Sequence, residues 1–350
     1  MGDLLIYGAT GFTGTLIAEE ACRRELRPIF AGRTADKLAA MAGAAGVSHR
    51  VFGLDDPRVV ERSLEGVSVV VNAAGPFLST AGPLAAACIR RGVHYLDVTG
   101  EAPVIEALAG HDKEAKAAGT TIMPAVGFDV VPSDCLAVHV SRRVKRPTSL
   151  HVGISGLELV SRGSARTVIT TIDKPVLARR NGRLEKFPPA SIERSFDFGR
   201  GPSKSLVVSW GDVSSAFFST GVGDITAYFE ATPAVRFHNT VSRLFGWAVP
   251  YTPWQPFLNA MTTFLPEGPS PNMRAARRAV VVVEVETDGR VMARSRLSTP
   301  EAYTFTAVTS VAVARRVLDG DFQPGFQTAA RVFGPDFVLG FANVLREDLA

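Results

Sequence analysis

The stretch Leu4-Leu5-Ile6-Tyr7-Gly8-Ala9-Thr10-Gly11-Phe12-Thr13-Gly14 constrains what this chain can fold into more than any other. Four apolar residues read as a strand, three glycines at three-residue spacing as a tight loop, and Thr13–Arg24 as a helix with Leu16, Ile17 and Ala21 on one face. Glycines are needed where the chain turns sharply and where backbone approaches a pyrophosphate, and the helix N-terminus offers N–H groups to the phosphates. Gly8, Ala9, Thr10, Gly11, Phe12, Thr13 and Gly14 are therefore the first candidate cofactor residues.

The same grammar repeats to about residue 130. Strands are expected at Leu4–Tyr7, Pro28–Ala31, His49–Phe52, Val67–Asn72, Tyr95–Val98 and Thr121–Pro124, with helical stretches between them such as Pro83–Arg91, which ends at Gly92. This predicts an α/β fold, a Rossmann-like doubly wound parallel sheet. Beyond about residue 145 the alternation stops. Longer strands are expected at Leu150–Ile154, Leu206–Trp210, Ala227–Glu230, Ala279–Glu286 and Val291–Leu297, the last two joined by the hairpin signal Asp288-Gly289. Sixteen of the 21 phenylalanines lie at or beyond Phe187, so this half is expected to be a second α+β domain on a largely antiparallel sheet, rich in aromatic surface. The division reads 1–135 for the nucleotide domain, 136–300 for a substrate or dimerisation domain, and 301–350 for C-terminal helices, Tyr303–Leu318 and Asp336–Arg346, packing back on the first.

The end of the second strand selects the dinucleotide. NAD enzymes place an acid there to hold the ribose 2′-hydroxyl. This chain has Ala31-Gly32-Arg33-Thr34 and then Lys37, two cations and a helix-capping hydroxyl suited to a 2′-phosphate, so NADPH is the expected cofactor. Two further strand ends face the same crevice: Asn72-Ala73-Ala74-Gly75-Pro76-Phe77, whose small residues let backbone lie against a nicotinamide, and Val98-Thr99-Gly100-Glu101. Ala73, Ala74, Gly75, Pro76, Phe77 and Gly100 join the cofactor set. A third, Ala125–Asp134, hands over to the second domain, where substrates commonly bind.

Other chemistries are set aside. No tyrosine has a lysine four residues later, which removes the Tyr-Lys pair of short-chain dehydrogenases. The six histidines lack ligand spacing, and Cys22, Cys88 and Cys135 form no C-x-x-C pair, so no metal site is expected and the thiols read as buried apolar residues. Gly199–Ser205 lacks the glycine that a phosphate loop needs before its lysine. Apolar runs are too short for a membrane-spanning helix, and the start shows no leader, which points to a cytoplasmic protein. Between Arg142 and Lys186, eleven Lys or Arg face three acids, Glu158, Asp173 and Glu185, which suits an acidic partner; no nucleic-acid motif accompanies them. Arg179, Arg180 and Arg183 look like the densest exposed cluster there. The proline-spaced aromatics from Phe245 through Phe257 to Leu265 read as a ribbon that lines an acyl tunnel, touches a membrane periphery, makes a homodimer contact or fills a core.

Through Gly8–Gly14, Ala31-Gly32-Arg33, Asn72–Phe77, His94-Tyr95-Leu96-Asp97-Val98-Thr99-Gly100-Glu101 and Gly127–Asp134, the chain resembles the saccharopine dehydrogenase-like superfamily, and within it the trans-acting enoyl reductase branch. Thr299-Pro300-Glu301-Ala302-Tyr303 with Thr306-Ala307 resembles that branch again, while the resemblance between 140 and 290 is weak. It implies an NADP-dependent oxidoreductase that reduces a conjugated C=C bond of an acyl, polyketide or lipid intermediate, carried by an acyl carrier protein or polyketide synthase. Saccharopine-type C=N reduction and a non-catalytic NADP-binding lipid-surface protein are the alternatives. Enoyl reduction needs donors for the developing enolate oxygen and a proton for the α-carbon. Of the polar residues nearest the expected nicotinamide, Tyr95, Asp97, Glu101, Asp129 and Ser133, the expected catalytic groups are Tyr95 first and Asp129 second.

Overall fold

The computed structural model describes residues 3–157, 161–163, 174–233, 235–237, 240, 244, 262 and 267–349. The ribbon expected at 245–265, Thr262 apart, lies outside these, as do Glu158 and Asp173 of the basic tract.

The described chain divides into two compact units, Met1–Val131 with Tyr303–Phe333, and Pro132–Ala302 with Gly334–Ala350. In the first, the elements run β1 (Asp3–Tyr7), α1 (Phe12–Arg23), β2 (Ile29–Gly32), α2 (Ala35–Ala45), β3 (His49–Val51), α3 (Pro57–Ser63), β4 (Val67–Asn72), α4 (Phe77–Arg91), β5 (His94–Asp97), α5 (Ala102–Ala109), α6 (Asp112–Ala117) and β6 (Thr121–Met123). All strands are parallel, in the order β3-β2-β1-β4-β5-β6, with a short strand from near the C-terminus, β15 (Gly325–Phe326), added beside β6. The expected strands are thus found to within a residue or two at each end. Leu5, Ile6, Val69, Val70, Val71 and Leu96 are fully buried, as strands covered by helices on both faces require. The order reverses between β1 and β4, and the crevice outside the carboxyl ends of strands at such a switch point is where α/β proteins bind ligands.

Helix α4 departs from expectation. It begins at Phe77, six residues before the expected start, and carries Pro83 inside. A proline removes one helical hydrogen bond without preventing the turns on either side, and Ala81, Leu84, Ala85, Ala87 and Cys88 bury enough apolar surface to hold them. The helix at Ala302–Leu318 is also present, and Gly127 makes room for it: a Cβ there would stand 2.8 Å from Thr306 Cγ2.

The second unit is a nine-stranded mixed sheet. Its main strands are β7 (Ser149–Ser155), β8 (Val176–Arg180), β9 (Arg183–Phe187), β10 (Glu193–Asp197), β11 (Pro202–Val208), β12 (Asp224–Glu230), β13 (Arg278–Thr287) and β14 (Arg290–Pro300). All pairs are antiparallel except β7 with β12. Asp288 and Gly289 take φ of 49° and 78°, the pair of positive values that a tight hairpin needs. The sheet coils so far that Arg194 of β10 reaches Glu284 and Glu286 of β13 at 2.6 and 2.7 Å.

Three expectations for this half are corrected. Phe196, Phe198 and Tyr228 are core residues packed with Val176, Val207 and Val282, so these aromatics are not surface. Arg179 is 3% exposed, donating to Val213 O and Gly182 O at 2.7 Å with its guanidinium over the Phe217 ring, and Arg180 Nη1 donates to Thr226 Oγ1 at 2.9 Å. Only Arg183 of that trio is exposed. The helix expected at Asp336–Arg346 is instead a 3-10 turn at Phe337–Gly340 and a strand, β16 (Leu345–Leu349), antiparallel to β14. Asn343, at φ 61°, breaks the helical path between them.

Candidate nucleotide-binding and active site

Gly8 ends β1 with φ of 83°, its N–H donating to Ala31 O at 2.8 Å, and an added Cβ would meet Ala74 N at 2.8 Å. Only glycine satisfies both demands, so the β1 loop and the β4 loop lie in backbone contact at the switch point. Gly14, in the first turn of α1, is packed harder still: its Cβ would fall 2.1 Å from Gly8 O. Helix and strand therefore touch through backbone. Gly11 caps α1 from an extended conformation with no side-chain cap bond, and the first turn carries no acid. The loop remains accessible at Gly8, Thr10, Gly11, Phe12 and Thr13. A glycine cradle opening on an uncapped, acid-free helix N-terminus suits a pyrophosphate.

At the end of β2, Arg33, Thr34 and Lys37 are all exposed. Thr34 is the N-cap residue of α2 by position, but its hydroxyl makes no cap bond. Neither Arg33 nor Lys37 forms a side-chain hydrogen bond or ion pair among the described residues. Tyr7, whose hydroxyl donates to Phe52 O at 3.3 Å, lies near Arg33; burial raises its pKa and the Arg33 charge opposes that rise. Asp36, passed over in the sequence, sits in the first turn of α2.

The β4, β5 and β6 ends are joined by a buried chain of side chains. Asn72 Nδ2 donates to Tyr95 Oη at 3.1 Å, and Tyr95 Oη donates to Asp97 Oδ2 at 2.9 Å. Asp97 Oδ1 accepts from Thr99 N at 3.0 Å and Ala125 N at 2.8 Å. Asn72, Tyr95 and Asp97 are each wholly inaccessible. Tyr95 thus has an interior place, not the open one expected of a proton donor, because its hydroxyl points along the sheet edge between two other buried groups. Burial drives its pKa well above the ordinary tyrosine value. Burial also raises the Asp97 carboxyl, to about 6, with the Ala125 and Thr99 N–H groups opposing.

Asp129 stands differently. It is partly accessible, on the turn Gly127–Val131, and its Oδ2 lies where a Cβ on Gly100 would come to 2.6 Å. Surrounding protein pushes its carboxyl up to about 7. Glu101 acts structurally at least in part: its Oε1 accepts from Phe77 N at 3.2 Å, binding the β5 loop to the start of α4. Ser133 and Asp134 are buried in the helix Val131–Ser141, with Asp134 accepting from Ser219 Oγ at 2.7 Å. Ala73, Ala74, Gly75, Pro76, Phe77 and Gly100 line the β4 and β5 ends at accessible positions. Sequence reading missed the Asn72 side chain and the closeness of Gly100 to Asp129; the Asn before the small-residue run was the only trace of the first.

Fold and loops together define a Rossmann-type dinucleotide-binding domain in one chain with a mixed-sheet domain. The family profile described as the saccharopine dehydrogenase NADP binding domain matches residues 4–123 of that first domain, and the nucleotide is NADP(H). A trans-acting enoyl reductase of Mycobacterium leprae is 36% identical over 150 residues, 41% of this chain and 36% of that protein. A putative trans-acting enoyl reductase of Mycobacterium tuberculosis is 35% identical over 140 residues, 38% of this chain and 33% of that protein. The chain thus matches about a third of the length of these relatives. Saccharopine dehydrogenase (L-Glu forming) from Saccharomyces cerevisiae has the same fold, with a TM-score of 0.65 at 12% identity over 100% of both chains. So does the homospermidine synthase of Legionella pneumophila solved with NAD, with a TM-score of 0.66 at 10% identity over 99% of this chain and 91% of that one. The resemblance read from the sequence holds. Among the described residues no helix is long and apolar enough to cross a membrane.

Proposed function

We propose that the chain is an NADPH-dependent reductase of a conjugated C=C bond in an acyl or polyketide intermediate supplied by a separate protein. The observation that carries this is Asp129: a partly accessible carboxyl, raised to about 7, in the same domain as the glycine cradle and the Arg33–Lys37 edge. The relatives named as enoyl reductases support the choice of C=C over C=N.

Bound NADPH supplies the hydride for the β-carbon. The backbone of Gly8–Gly14 holds the pyrophosphate, with Arg33, Thr34 and Lys37 on the 2′-phosphate and the small residues Ala73–Gly75 and Gly100 against the nicotinamide. Asp129, half protonated near neutrality, holds the proton that the α-carbon takes once charge has developed on the enolate. Its raised value suits an acid that works at neutral pH. The test is NADPH consumption, followed by absorbance, with an α,β-unsaturated acyl thioester on a carrier protein and on a small thiol. Consumption that occurs only when an amine and a carbonyl compound are added together points instead to imine reduction. No substrate-dependent consumption with either class leaves an NADP-binding protein without turnover.

A further inference from the structure

The chain of hydrogen bonds beneath the site spans segments far apart in sequence. Thr80 Oγ1 donates to Ala74 O at 2.6 Å, Asn72 Oδ1 accepts from Ala74 N at 3.0 Å, and Asn72 Nδ2 passes to Tyr95 and so to Asp97. Asp97 closes the chain with both its carboxylate and its backbone: Oδ1 takes Thr99 N and Ala125 N, while the carbonyl accepts from Val126 N at 2.8 Å. Ala125 sits at φ 58°, a left-handed conformation that disfavours an L side chain and persists only when its surroundings enforce it. The groups that enforce it here are the side chain and backbone of Asp97. Directly after Val126 the chain turns, with Val131 N on Gly127 O at 3.0 Å, and that turn delivers Asp129 against Gly100. Thr99, the other residue held by Asp97 Oδ1, immediately precedes Gly100.

Asp97 therefore grips both walls of the notch in which Asp129 sits. We propose that Asp97, oriented by Tyr95 and Asn72, is the positioning residue of the site, and that Tyr95 acts through it and does not touch the reacting group. The polarity of the chain is one-way. Asn72 Nδ2 must donate to Tyr95, so the phenol proton must go to Asp97, so Oδ2 must accept. An amide at 97 offers one acceptor in place of two and, with its N–H2 turned to Tyr95, sets two donors against one hydroxyl. A phenylalanine at 95 removes the donor from Oδ2 and a partner from Asn72 while keeping the ring's packing.

The kinetic part of this inference rests on reading Asp129 as the proton source, whereas its structural part does not. The experiment uses the full chain bound to NADPH. Backbone amide exchange is measured by NMR, the Asp129 carboxyl is titrated by 13C shift, and NADPH affinity is read by fluorescence, in the unaltered protein, Tyr95→Phe and Asp97→Asn. Exchange at Thr99, Ala125 and Val126 is expected to quicken at least tenfold in Tyr95→Phe while Leu5 and Ile6 keep their protection. The Asp129 midpoint should fall towards the usual carboxylate range as its notch loosens, with NADPH affinity changed less than about threefold. The turnover rate should fall about tenfold or more with little change in KM. If Asp97→Asn does not fold, Tyr95→Phe alone decides. Unchanged exchange and an unchanged Asp129 midpoint in Tyr95→Phe would overturn the proposal, and a lost rate beside them would make Tyr95 itself the catalytic group. An unaltered rate in Asp129→Asn would remove the proton-source reading and leave exchange and titration to decide the positioning role.

Discussion

Asp129 titrates near neutrality because protein atoms replace water around it, and that has a sign that can be worked out. Its folded value, about 7, lies above the ordinary 3.8, so the folded state holds this proton more tightly than the unfolded state. Stability from this group is complete below about pH 4 and is lost as pH rises towards 7. Asp129→Asn should remove that decline, raising the denaturant midpoint at pH 8 relative to pH 5 when set against the unaltered protein. In turnover, the acid form is the one used, so kcat should fall above about pH 7 and the falling limb should vanish in Asp129→Asn; a limb that persists there belongs to another group. At the far end of the nucleotide, Arg33 and Lys37 face solvent and, among the described residues, form no side-chain hydrogen bond or ion pair. NADPH should bind at least about tenfold more tightly than NADH, equivalent to about 1.4 kcal/mol, and Arg33→Asp should reduce or reverse the preference. Equal affinity of the unaltered protein for both nucleotides, by fluorescence titration, would sink this. The positions of Arg33 and Asp129 in loops that follow β2 and β6 were legible in the sequence because strand ends of a parallel sheet all face one edge. The interior place of Tyr95 was not, since its partners lie 23 residues before and two after, and only the strand register turns its ring inward.

Helices and strands of the first unit were readable wherever apolar period and loop chemistry agreed. The β1 loop is the strongest case, and its glycines make unequal demands. Gly14→Ala pushes a methyl to 2.1 Å from Gly8 O, so α1 must shift from β1. The expected outcome is a loss of about 1–3 kcal/mol in stability, in the range of overpacking, with NADPH binding weakened more than tenfold. Gly43, inside α2 with nothing within 4 Å of an added Cβ, is the control: Gly43→Ala should stabilise by about 0.5–1 kcal/mol and leave binding alone. Both are read by thermal melts with and without NADPH, and a harmless Gly14→Ala would mean that the helix can slide. The elements that escaped sequence reading share a cause. The strand Gly325–Phe326 is two residues long, too short for any period, and pairs β6 because Gly325 N donates to Thr120 O at 2.8 Å. In β16, Arg346 and Asp348 alternate with Leu345 and Leu349, but Asp348, though exposed, is held by His139, Arg143 and Ser295, partners fixed by the fold and not by its neighbours in sequence.

At the scale of the whole molecule, the basic excess counted along the sequence is redistributed by folding. Arg179 and Arg180 are consumed in holding β8, so their charges serve packing. Arg142, Lys145 and Arg146 are exposed, and among the described residues none forms a side-chain hydrogen bond or ion pair. The backbone ties their segment to the β13–β14 hairpin, Thr287 Oγ1 donating to Arg146 O at 2.7 Å, and the hairpin contributes Arg290, also exposed and without an ion pair among the described residues. Beside them, Val291 and Met292 are 37% and 59% exposed. Four free cations next to apolar surface suit an acidic protein partner, because long-range attraction speeds encounter while apolar contact slows release. If the acyl substrate arrives on an acidic carrier protein, the carrier-bound thioester should react faster than the same acyl group on a small thiol, and salt should erode that advantage, since the screening length falls from about 10 Å at 0.1 M to about 3 Å at 1 M. Reversing Arg142, Lys145, Arg146 and Arg290 to Glu should abolish the advantage and leave turnover of the small thioester unaltered. Reversal at Arg183 alone, exposed on β9, should matter less. A carrier advantage that survives both the fourfold reversal and high salt would show that the carrier docks elsewhere, through contacts in which charge has no part.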